Sequence, residues 1–86
     1  MKRRSEAKQE LIQRINNEMA RGKTKWGKVD RTPVDFVVAA TEELGEVAHA
    51  VNHSEGADRI KQEVAEVMGI LSRLYEMVDK RGINVQ

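Results

Sequence analysis

Four glutamates carry the spacing best suited to chemistry in this chain. Glu43 and Glu46 form one Glu-x-x-Glu pair, Glu63 and Glu66 a second, and residues three apart share one face of a helix. Around the first pair, Val37, Ala40, Leu44, Val47 and Val51 step by 3 and 4. Around the second, Ile60, Val64, Val67, Leu71, Leu74 and Val78 do the same. Both sets repeat every 3.5 residues, as packed antiparallel helices do. In one heptad frame Glu43 and Glu63 fall at g and Glu46 and Glu66 at c, so the two pairs can converge. Four carboxylates brought together repel one another and hold their protons more tightly unless a cation neutralises them. Oxygen-only ligands select a hard ion, magnesium or manganese, and carboxylates that leave water positions open suit Mg²⁺ acting with phosphates. The alternative is a solvated acidic face paired with Lys and Arg. Against it, helix two has no Lys or Arg between Pro33 and His53.

The elements that would position these acids are helices. In 86 residues, 34% are charged and 3% aromatic, with one Pro and no Cys, which excludes a disulfide framework, a thiolate metal site and a Cys nucleophile. Ala7, Leu11, Ile15 and Met19 predict a first amphipathic helix over 5–21, stopped by Gly22. A basic loop with Lys23, Lys25, Trp26 and Lys28 follows. Thr32, Pro33 and Asp35 mark the start of a second helix running to about His53. A break at 53–56 precedes a third helix from about Asp58 to Arg81, ended by Gly82. Helix two is apolar off its seam as well (Val34, Phe36, Val38, Ala39, Ala48), which places it centrally with helix one packed across it. The expected fold is all-α and a single domain over 1–86: a helical hairpin plus an N-terminal helix, completing a four-helix bundle by homodimerisation. A chain this short is a marginal monomer. No apolar run approaches the ~20 residues of a membrane span and no signal-peptide core follows the basic start, so a cytoplasmic location is expected.

Glu42-Glu43-Leu44-Gly45-Glu46-Val47-Ala48, followed after a 16-residue gap by Glu63-Val64-Ala65-Glu66-Val67, resembles the MazG-like all-α nucleoside triphosphate pyrophosphohydrolase superfamily. Lys25-Trp26-Gly27 and Pro33 resemble its small, phage-type members. The resemblance implies Mg²⁺-dependent hydrolysis of a nucleoside triphosphate to monophosphate and diphosphate, as nucleotide-pool house-cleaning, by a homodimer or dimer of dimers. It maps Glu43, Glu46, Glu63 and Glu66 onto the metal-binding acids. Glu42 becomes an auxiliary acid, catalytic together with Glu43. The family's last acid is normally Asp, whereas this chain has Glu66, one methylene longer.

A triphosphate also needs basic partners. Arg73 lies seven residues after Glu66 on the same helix face and can reach phosphate or pair with Glu76. Lys25 can contact substrate from the basic loop, and Trp26 can stack on a base or serve as a packing anchor. His49 and His53 read as polar surface or a contact to helix one. Residues 1–31 hold ten Lys/Arg against four acids and residues 32–86 five against ten. This asymmetry supports a competing expectation, a noncatalytic dimeric scaffold or a nucleic-acid-binding module using the basic segment. No nucleic-acid motif accompanies it.

Overall fold

A computed structural model describes residues 2–27 and 31–81. They form three helices: α1 (Arg4–Trp26), α2 (Pro33–Asn52) and α3 (Ala57–Arg81). Lys28 and Gly82 lie outside the described residues. None of the three helices is long and apolar enough to cross a membrane.

The start of α2 follows its local chemistry. The Thr32 hydroxyl accepts from the Asp35 backbone N–H at 3.2 Å, and the Asp35 carboxylate accepts from the Thr32 N–H at 2.9 Å. This reciprocal cap, with Pro33 in the first turn, satisfies backbone donors that a helix start otherwise leaves open. Hydrogen bonding to the Thr32 backbone N–H, and then to the Thr32 side chain, holds the Asp35 carboxyl below its ordinary range. The α2–α3 turn is tight because Ser54 (φ 50°) and Gly56 (φ 99°) take left-handed backbone. The Glu55 N–H then returns to the Ala50 carbonyl at 3.0 Å.

Helix one departs from the expected stop. It runs through Gly22 to Trp26, so Lys25 and Trp26 stand on its last turn instead of a loop. Gly22 answers a packing need here: a Cβ at this position would lie 2.5 Å from Nη1 of Arg73, whose side chain crosses there. The order of packing also differs from expectation. The central helix is α3, which packs on both others, whereas α1 and α2 do not pack on each other. Small residues on α3 decide this. Ala65 is fully buried, and a Cβ on Gly69 would come within 2.8 Å of the Glu18 Cβ, so α1 can approach only where α3 has no side chain. Charge supports the same docking. Arg14 pairs with Asp58 at 2.7 Å and Lys23 with Glu76 at 3.3 Å, joining the basic helix to the acidic edge of α3.

The apolar core is small: Phe36, Ala40, Ala50 and Ala65. Of the α2 seam, Ala40 is buried and Val47 half-buried, while Val37, Leu44 and Val51 are exposed. Replacing Gly69 by Ala is expected to lower the melting temperature, because the clash with Glu18 outweighs the gain in helix propensity. Gly45→Ala, where a Cβ meets nothing, should raise it by about 4–8 °C for ~1 kcal/mol. Paired thermal melts followed by circular dichroism test both signs.

Candidate active site

The cleft between α1 and α2, floored by α3, encloses about 400 Å³. That is within the range of small-molecule sites. Its acids come from all three helices: Glu18 on α1, Glu42 and Glu43 on α2, and Glu66 on α3. Its bases are Arg21, Lys25, Arg31 and Arg73, with Trp26 on the same wall.

Carboxylate oxygens of Glu43, Glu63 and Glu66 all lie within 4.8 Å of one another. Glu63 is 3% exposed and pairs with Nη2 of Arg59 at 2.9 Å, one turn earlier on α3. Glu43 and Glu66 are half-buried, and both are raised above the usual glutamate value. For Glu43 the largest cause is burial, then repulsion from Glu63 and Glu46, partly offset by Arg21. For Glu66 it is again burial, then the charges of Glu63, Glu43 and Glu18, with Arg21 opposing. Of the four acids read from the sequence, three converge. Glu46 is exposed and outside the trio, although its charge is felt at Glu43. Glu42 lines the cleft as an exposed carboxylate.

As Arg59 does from within α3, Arg21 faces the trio from α1. Its guanidinium donates to Glu18 at 3.0 and 2.6 Å, and Nη2 lies 3.4 Å from Glu66. Bonding to Glu18 is the main reason its own pKa is raised. Glu18 also accepts from Gln62 at 2.9 Å, which fixes it to α3. Neither Glu18 nor Arg21 was singled out from sequence. Their i,i+3 spacing on a basic helix looks like an ordinary surface pair until α1 is placed on α3.

The second wall is basic and aromatic. Arg73 lies with its guanidinium carbon 5.2 Å from the Phe36 ring centre, and Arg31 approaches that ring at 5.6 Å and Trp26 at 5.2 Å. Lys25 Nζ is 5.0 Å from the Trp26 ring. Burial, and then the charge of Arg31, lowers the Arg73 pKa. The expected alternative pairing of Arg73 with Glu76 is not formed, since Glu76 takes Lys23. Among the described residues no carboxylate pairs with Arg73. The cleft thus brings Lys25, Trp26 and Arg73 together. The histidines stand apart on α2: the His49 and His53 rings stack at 4.0 Å, and His49 Nε2 is 3.3 Å from Glu55.

An oxygen-only trio, two of whose members, Glu43 and Glu66, are raised above the ordinary glutamate value, fits a small hard cation, which would relieve their repulsion. No protein family, curated protein or solved structure matches the chain.

The acid repulsion has a measurable sign. The Glu43 pKa in the folded protein lies above its ordinary 4.5, so its ionisation costs stability at neutral pH. That cost disappears as pH falls through the raised value towards 4.5. In EDTA, Glu43→Gln should therefore melt higher than the parent chain at pH 7, with the gap closing towards pH 4.5. A lower melting point at pH 7 would contradict the crowding of these acids.

Proposed function

We propose that the protein is a magnesium-dependent nucleoside triphosphate pyrophosphohydrolase, cleaving the bond between the α- and β-phosphates to give a monophosphate and diphosphate. The observation that carries this reading is that Glu43 and Glu66, two members of the three-carboxylate group, line one cleft together with a set of guanidinium and ammonium groups. Acids alone would repel a triphosphate, and bases alone would bind it without activating water.

In this reading Glu43, Glu63 and Glu66 hold Mg²⁺ (or Mn²⁺), which when bound lowers the pKa of water and offsets charge on the leaving diphosphate. Glu66, longer than the usual Asp, already reaches the trio. Glu42, exposed at the cleft edge, takes the proton of the attacking water. Arg73 and Lys25 neutralise phosphate oxygens. Arg73 is prepared for this because burial has already removed part of its hydration, and the nearby Glu76, whose charge it feels, is paired with Lys23. Trp26 offers a flat apolar surface at the rim for the base. Glu46 adds charge near the trio without joining it. The working form is a pair of chains completing a four-helix bundle.

The nucleic-acid alternative loses support because Arg14, Arg21 and Lys23, three of the bases in the first 31 residues, face acids of α3.

Diphosphate release from a panel of ribo- and deoxynucleoside triphosphates, with Mg²⁺ or Mn²⁺ against EDTA, tests the reading. Metal-dependent release is expected, and its absence across the panel would reject the enzyme. Glu43→Gln should cut kcat by about 100-fold or more, as loss of a charge-stabilising group does. Arg73→Met should chiefly raise KM, by roughly 10-fold for one lost phosphate contact.

A further inference from the structure

The three clustered acids are neutralised unequally. Among the described residues Glu63 pairs with Arg59 at 2.9 Å and Glu66 with Arg21 at 3.4 Å, while Glu43 pairs with no base. The two guanidinium groups differ in where they stand. Arg59 lies one turn before Glu63 on α3 and does not line the cleft, whereas Arg21 reaches across from α1 and does. Arg21 is therefore on the side from which an ion would enter. Its grip is also uneven: Nη2 lies 2.6 Å from Glu18 but 3.4 Å from Glu66, and Nε adds a second bond to Glu18 at 3.0 Å. A charge-assisted N–H···O bond usually spans about 2.7–2.9 Å, so the Glu66 contact is the weak one. Glu18 in turn is held by Gln62 at 2.9 Å and by its packing over Gly69.

We infer that Arg21 is a resident stand-in for a divalent cation, neutralising the carboxylate trio when no metal is held and yielding Glu66 when one is. This rests on the metal-holding role given above to Glu43, Glu63 and Glu66, and it names what regulates that site. A guanidinium beside Glu66 and a metal ion among the same carboxylates repel each other, and both draw on the same oxygens. Metal loading is thus an exchange of cations, and the resident charge weakens the affinity of the site for the free ion. The bonds to Glu18 lie outside the trio, so Arg21 can yield Glu66 while α1 stays docked. The site stays assembled without metal and fills only above a threshold of divalent ion.

The test is binding of Mn²⁺ alone to the full chain without nucleotide, read from the loss of the free-ion electron paramagnetic resonance signal. Arg21→Met should bind Mn²⁺ about 5-fold more tightly than the parent chain, the scale of one partly exposed ion pair, yet melt lower in EDTA. Lys23→Met is the control. It also deletes one positive charge and one α1–α3 ion pair, that with Glu76, and should leave the Mn²⁺ affinity unchanged. If Arg21→Met loses helicity, Arg21→Gln, which keeps a donor for Glu18 without the charge, carries the same expectation. Weaker or unchanged Mn²⁺ binding in a folded Arg21 variant overturns the inference, because Arg21 then only supports the docking of α1. So does an equal gain in Lys23→Met, which reduces the effect to net charge, and so does a parent chain that binds no Mn²⁺. Mn²⁺ binding with the expected pattern but no diphosphate release rejects the enzyme alone. Diphosphate release with a Mn²⁺ affinity indifferent to Arg21 rejects this inference alone.

Discussion

The close approach of α1 to α3 governs the rest of the structure. It is possible only where α3 presents Gly69, and it sets Glu18 directly over a position without a side chain. Once α1 is seated there, Arg21 falls one turn of chain beyond the contact and meets Glu66, and Lys25 and Trp26 follow along the same wall. Moving α1 to α2 would cover the apolar arc of α2 but leave the acids of α3 without their facing cation. The close contact at Gly69 therefore decides both where the cleft is and which surface remains bare.

The acids on α2 and α3 pull against this packing. Three carboxylates held together in a partly dry site destabilise the hairpin at neutral pH, and Arg21 and Arg59 compensate from opposite sides. Arg59 does so within α3, one turn before Glu63. Arg21 does so from another helix, so the electrostatics of the trio depend on tertiary structure, whereas the Thr32–Asp35 cap depends on four consecutive residues. Part of the basic charge of α1 is spent in this docking, where Arg14, Arg21 and Lys23 meet Asp58, Glu66 and Glu76 of α3.

That difference explains what could be read from the sequence. Helices α2 and α3, the N-terminal cap of α2 and the break between the two helices were legible because each follows from local signals such as Thr32-Pro33, Gly56 and the 3.5-residue period. The convergence of Glu43, Glu63 and Glu66 was legible because helix phase fixes which residues share a face. The end of α1 was not, since Gly22 reads locally as a stop and only the Arg73 side chain crossing it shows another purpose. Periodicity likewise could not choose the central helix. It measures how much of a helix is apolar, and α2 is more apolar around its circumference than any single contact in one chain can cover. Nor could it separate Glu46 from the trio, because equal register on two helices places side chains on matching faces without setting the distance between them.

Among the described helices α1 packs on α3 and not on α2, and many of its ties are polar, with Arg14, Arg21 and Lys23 all on its length. Its undocking would leave the α2–α3 hairpin contacts intact, which makes it a unit of local rather than global opening. The cleft exists only in the docked arrangement. Any ligand gripping Arg21 or Lys25 on one side and the α3 groups on the other is therefore a clasp across that joint, and it holds the helix shut by the free energy with which it binds.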